Sequence, residues 1–110
     1  MSDRELQFFI VDIHDSLKNI VLFTEGMDFD MYQSDLKTKH AVERNFEMIG
    51  EAAARLPLEF KSKNAQIEWR VMKDFRNFII HEYFGINDQT VWDIIIYKIP
   101  DLLLQIQKLS

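Results

Sequence analysis

The chain has 110 residues, a formal charge of −5, 47% apolar residues, three glycines, two prolines and no cysteine. That length holds one domain, 1–110, around one core, and so few glycines and prolines exclude a turn-rich all-β architecture. The missing cysteines exclude a disulfide, a thiolate metal site and a thiol nucleophile, and the negative charge speaks against broad coating of nucleic acid while permitting a local basic cleft.

The opening "MSDRELQFFIVDIHDSL" carries charges where a secretory signal needs an apolar stretch, and the apolar runs are too short to span a membrane. A cytoplasmic protein with no membrane partner is expected. In the first element, from about Asp3 to Glu25, Leu6, Phe9, Ile10, Ile13, Leu17, Ile20 and Val21 recur at helical spacing, and Gly26 ends it. "MDFDMYQSD" follows as a connection with room for one short extra turn. A second helix, from about Asp35 to Leu56, shows the stripe Val42, Phe46, Ile49, Ala53 and Leu56 and closes at Pro57. Its Gly50 and Ala52 to Ala54 leave room for a close neighbour, and Arg44, Glu47 and Glu51 share a face where charges can pair.

A third helix is expected from about Ile67 to Phe84, ending at Gly85. A fourth begins at Asn87 or Asp88 and is kinked or split by Pro100. "VWDIII" has strand propensity, yet a lone strand finds no partner, so it is assigned to helix. The expected fold class is all-α: an antiparallel four-helix bundle, five with the extra turn counted.

On a wheel of about 100° per residue, Val71, Met72, Phe75, Phe78 and Ile79 form the core face of the third helix. Arg70, Lys73, Arg76, Asn77 and His81 form a basic, polar face, with Tyr83 beside Arg76. Asn77 and His81 can touch, whereas Arg76 and His81 splay by about 140°. Two copies meeting across a two-fold axis could bring Arg76 of one to His81 of the other, burying Trp69 and Ile80 in the seam.

A histidine can exchange a proton near neutral pH, and a guanidinium can hold a phosphate as charge builds on it. With a polar amide these suffice to cut RNA without metal. The 2′-hydroxyl is deprotonated and its oxygen attacks the adjacent phosphorus, leaving a 2′,3′-cyclic phosphate and a 5′-hydroxyl; DNA lacks that hydroxyl. The plainer alternative is a helix surface whose arginine and histidine only pair or hydrogen-bond. "HEYFG" fails as a zinc-protease motif because glycine stands where the second histidine belongs. His14, His40 and His81 lie on three different expected helices, so neither a metal nor a cofactor is expected. There is no phosphate-cradling glycine loop. Glu47 and Glu51 fit a salt-bridge role beside Arg44, His14 a solvent-facing one, and Trp92 the core.

"RNFIIHEY" reads R-x4-H-x-Y with asparagine after the arginine. With "IGEAA" and a tryptophan seven residues before the arginine, it resembles the HepT-like family of HEPN-domain ribonuclease toxins. The resemblance extends to "FFIVDIHDSLKNI", "AVERNFEMIGEAAARLP", "IEWRVMKDFRNFIIHEYFGIN" and "VWDIIIYKIPDLL", nearly the whole chain. It implies a homodimeric HEPN-like bundle with both motifs in one cleft. It further implies a metal-independent endoribonuclease toxin of a type II- or VII-like toxin–antitoxin module, with Arg76 and His81 catalytic and Asn77 supporting. The implied partner is an MNT-type nucleotidyltransferase antitoxin that transfers AMP to Tyr83. Arg70 and Lys73 are the expected RNA-binding cations, tRNA is the first candidate substrate, and DNA is not expected to bind. The alternative reading is a noncatalytic substrate- or nucleotide-binding subunit of a minimal nucleotidyltransferase; a purely structural dimerisation module is the third.

Overall fold

The computed structural model describes residues 1–80 and 85–109, with the backbone alone at Ile80. The described residues form seven helices and no strand: α1 (Asp3–Thr24), α2 (Phe29–Ser34), α3 (Leu36–Arg55), α4 (Leu58–Lys63), α5 (Trp69–Ile80), α6 (Asp88–Tyr97) and α7 (Ile99–Gln107). The all-α expectation holds. The count exceeds four because two connections wind into short helices and because Pro100, which has no N–H to donate, divides the last element at Lys98.

Most helix starts are written into short polar side chains. Ser2, Asp28, Asp35 and Asn87 each accept a hydrogen bond from the backbone N–H three residues on, satisfying a donor that the helix leaves open. Gly26, at φ +76°, turns the chain after α1 in a conformation that costs other residues a clash with Cβ.

The core gathers Ile13, Leu17 and Ile20 of α1, Val42, Phe46, Ile49 and Ala53 of α3, and Met72, Phe75 and Ile79 of α5. The α6–α7 pair closes it with Val91, Trp92, Ile95, Ile99, Leu102 and Ile106. Phe46 and Phe75 stack with ring centroids 4.8 Å apart, and α3 packs most extensively on α5 and α1. Trp92 lies against the fully buried Tyr32, as a core residue should.

Two expectations are corrected. Val21 is 37% exposed, because it lies at the margin of the α1 stripe, whose centre at Ile13, Leu17 and Ile20 is covered. Trp69 is 8% exposed within the single chain and needs no second copy to bury it. The α4 helix crosses that side of α5: Phe60 lies 5.9 Å from the indole, and Trp69 Nε1 donates to the Asn64 carbonyl at 3.1 Å. The side chain of Ile80, expected at the same seam, lies outside the described residues.

The start of α5 is tied to the C-terminal pair. The Gln105 amide donates to Glu68 Oε1 at 2.9 Å, its oxygen accepts from the Glu68 N–H, and Lys98 Nζ reaches Glu68 Oε2 at 2.6 Å. The Lys98 bond, then the Gln105 bond, holds the Glu68 carboxyl below its ordinary value. A carboxyl depressed in the fold adds stability above its unfolded pKa and loses it as pH falls through the folded one. Lys98→Met is therefore expected to lower the melting temperature at neutral pH and to flatten its decline between about pH 5 and pH 3. Thermal melts across that window check this; parallel curves for variant and wild type would refute it.

Candidate functional site

The α3–α5 crossing decides where the polar face of α5 is displayed. A Cβ added to Gly50 would overlap Arg76 Cβ and lie 2.8 Å from Arg76 N and 3.1 Å from Arg76 Cα. The missing side chain at Gly50 therefore lets the backbone of α5 rest directly on α3 at Arg76. With its base seated there and with Phe75 and Ile79 buried, the Arg76 guanidinium is carried to the surface. The close approach expected from Gly50 and its small neighbours is the one observed.

Arg70, Lys73, Arg76 and Asn77 are all exposed on α5. None of these four side chains has a hydrogen bond or ion pair among the described residues, although Asp74 is one turn from Arg70. Some cations elsewhere are paired: Arg44 with Glu47 at 3.3 Å, Lys39 with Asp88 at 2.9 Å, Lys63 with Glu59 at 3.3 Å and Lys98 with Glu68 at 2.6 Å. Unpaired guanidinium and ammonium groups on one rigid helix are equipped to receive an anion.

His81 and Tyr83 lie outside the described residues, as does the expected end of the third helix at Phe84. Gly85, with φ +93°, and the cap residue Asn87 precede α6. The start of α6 is anchored: Asp88, its first residue, pairs with Lys39 of α3, with only 17% and 20% of the two side chains exposed. The helices before and after residues 81–84 are thus held by α3, α5 at Gly50 and α6 at Lys39.

Beside the Lys39–Asp88 pair, burial, and to a lesser degree the Asp88 charge, raises the Glu43 carboxyl. Burial, Glu43 and Asp88 together push the Tyr32 hydroxyl upward. That hydroxyl is buried and has no hydrogen-bond partner among the described residues. His14 is half-buried beside Asp15 at 3.2 Å. Among the described residues no group of histidines and carboxylates could hold a metal ion, and no helix is long and apolar enough to cross a membrane.

Two grooves flank α5. The larger, about 520 Å³, is mostly apolar, lined by Val71, Phe75 and Phe78 and by Ile94 and Tyr97 of α6, with Asp74, Thr90, Asp93 and Lys98 as its polar lining residues. The other, about 470 Å³, lies between α4 and α5 and is lined by Lys61, Arg70, Lys73 and Asn77. Lys61 is the residue that sequence reasoning missed. It belongs to a short helix with no buried residue of its own, so no periodicity marked it.

Comparison with known proteins gives one consistent result. The family model described as "Ribonuclease HepT-like" matches residues 13–109. A protein of Methanocaldococcus jannaschii provisionally named an RNase is 40% identical over 109 residues, covering 99% of this chain and 90% of that one. A second protein of that organism, named in the same way, is 32% identical over 109 residues, covering 99% and 94%. A Thermococcus cleftensis protein named "Probable ribonuclease HepT" is 36% identical over 106 residues, covering 96% of each chain. No solved structure matches the chain.

Proposed function

This chain belongs to the HepT-like ribonuclease family, and from that premise we propose that it is a metal-independent endoribonuclease, the toxin of a HEPN–MNT toxin–antitoxin module. The observation that carries the reading is the exposed Arg76, unpaired among the described residues and seated on Gly50 inside the segment that the family model matches.

In this proposal the protein works in the cytoplasm as a homodimer. Arg76 of one subunit meets His81 of the other at a phosphodiester of the RNA, with tRNA the first candidate. His81 takes the proton of the 2′-hydroxyl, the 2′-oxygen–phosphorus bond forms as the phosphorus–5′-oxygen bond breaks, and the leaving 5′-oxygen takes its proton from water. Arg76 neutralises charge on the non-bridging oxygens, which is worth most in the transition state, where that charge is greatest. Asn77, on the same turn as Arg76, steadies substrate or base with its amide. An AMP group placed on Tyr83 by an MNT-type nucleotidyltransferase would add negative charge beside Arg76, occupying the guanidinium and repelling RNA.

The test is to free the protein of any partner, incubate it with cellular RNA in EDTA, and analyse the new ends. Cyclic phosphates facing 5′-hydroxyls are expected. Intact RNA from protein shown by mass spectrometry to carry an unmodified Tyr83 would turn the assignment toward a noncatalytic binding subunit.

A further inference from the structure

The groove between α4 and α5 holds a concentration of positive charge that the acidic chain does not compensate locally. Lys61 of α4 faces Arg70 and Lys73 of α5 across it, and Asp74 is the one carboxylate among the lining residues. The Lys61 ammonium spends one of its three donors on the Ala53 carbonyl, at 3.0 Å, near the end of α3. Two donors remain. Burial, and after it the charge of Lys73, lowers the Lys61 pKa, as expected of an ammonium partly withdrawn from water beside a second cation. Beside them stand the Trp69 indole and Leu58, whose side chain is largely exposed.

We propose that this groove holds the sugar–phosphate backbone of single-stranded RNA next to the scissile bond, with Lys61, Arg70 and Lys73 each taking a phosphate oxygen. The proposal rests on the ribonuclease reading of Arg76 and extends it to an element that the motif does not include. Continuity of charge favours a nucleic-acid strand. Arg70, Lys73 and Arg76 climb one helix over about 9 Å at 1.5 Å per residue, and Asn77 closes the groove at the Arg76 end. A polyanion lying along it ends at Asn77, the chain neighbour of Arg76. Leu58 at the lip offers a base an apolar surface, which an unpaired strand can use and a duplex cannot.

The experiment uses the full chain and a fluorescent single-stranded RNA oligonucleotide methylated at every 2′-oxygen, so that it binds without being cut. Affinity is read by anisotropy across a salt series. Lys61→Gln is expected to weaken binding roughly tenfold at low salt and to reduce the slope of log K against log salt by about 0.7, one phosphate contact, while Lys61→Arg retains both. Lys73→Gln is the second variant. It touches neither the Ala53 carbonyl nor any other described partner, so it should fold normally and lose a similar increment. On unmodified RNA the loss should appear in KM rather than kcat.

Unchanged affinity and slope in folded Lys73→Gln overturn the proposal. So does binding of poly-L-glutamate that depends on Lys61 and Lys73 while RNA binding does not, which would assign the groove to an acidic protein segment. Wild-type protein that binds the methylated strand through these lysines yet never cuts unmodified RNA leaves the groove standing and removes the ribonuclease reading. Cleavage with an unaltered KM in both variants does the reverse.

Discussion

Arg76→Ala is expected to reduce RNA cleavage at least about a thousandfold, the scale lost when a guanidinium that stabilises transferring phosphate is removed. Stability should hardly change. Alanine keeps the Cβ that rests on Gly50, and the deleted atoms are exposed and make no hydrogen bond among the described residues, so the cost stays within about 0.5 kcal/mol. His81→Ala should be comparably inactive, since loss of a general base costs about a hundred- to ten-thousandfold. The sharper measurement mixes the two dead variants. If each site joins Arg76 of one subunit to His81 of the other, random re-pairing at equal amounts makes half the dimers mixed, each with one of its two sites intact. About one quarter of wild-type activity should then return. Activity that stays at background after demonstrated subunit exchange would place both groups in one subunit and end the composite-site proposal.

Gly50→Ala should have the second-largest effect, in the direction opposite to helix propensity. In an isolated helix the change would gain about 1 kcal/mol. Here the added methyl meets Arg76 Cβ and lies 2.8 Å from Arg76 N; these are atoms of a packed helix and cannot rotate aside. Separating α5 from α3 loosens the stacked Phe46–Phe75 pair and its neighbours, an overpacking cost of about 1–3 kcal/mol. Set against that gain, the net loss should reach about 2 kcal/mol, up to about 16 °C in melting temperature for a domain of this size. Cleavage at permissive temperature should fall more than the folded fraction does, because the guanidinium moves with the backbone. Thermal melts paired with kcat decide it. A variant as stable and as active as the wild type would show that the helices separate freely and that the Gly50 crossing does not position Arg76.

Long, one-sided helices declare themselves in a sequence. The α1, α3 and α5 stripes repeat often enough that the bundle could be read from Ile13, Leu17 and Ile20, from Val42, Phe46 and Ile49, and from Phe75 and Ile79, all of which are buried. Short elements do not declare themselves. The α2 and α4 helices have six residues each, less than two turns, so their apolar residues cannot establish a period. Missing α4 had a direct consequence for Trp69: a wheel with one buried direction left that indole on a polar face, whereas the α4 crossing supplies a second. Arg70, Lys73 and Asn77 were legible as a set because they share one helix. Lys61 was not, because it reaches them only after the chain turns at Pro57 and folds back over α5. The role of Gly50 was half legible: its smallness announced a close approach, and only the fold says that Arg76 is what approaches.

The thin attachment of α4 has a consequence for how the protein breathes. With no residue fully buried, that helix is secured mainly by Phe60 against Trp69, the Trp69–Asn64 bond and the Lys61–Ala53 bond. It should detach in brief sub-global excursions far cheaper than complete unfolding, wetting the indole each time. Any polyanion that grips Lys61 closes that hinge from outside, so occupancy should be recorded as slowed amide exchange along residues 58–64 and as steadier emission from Trp69.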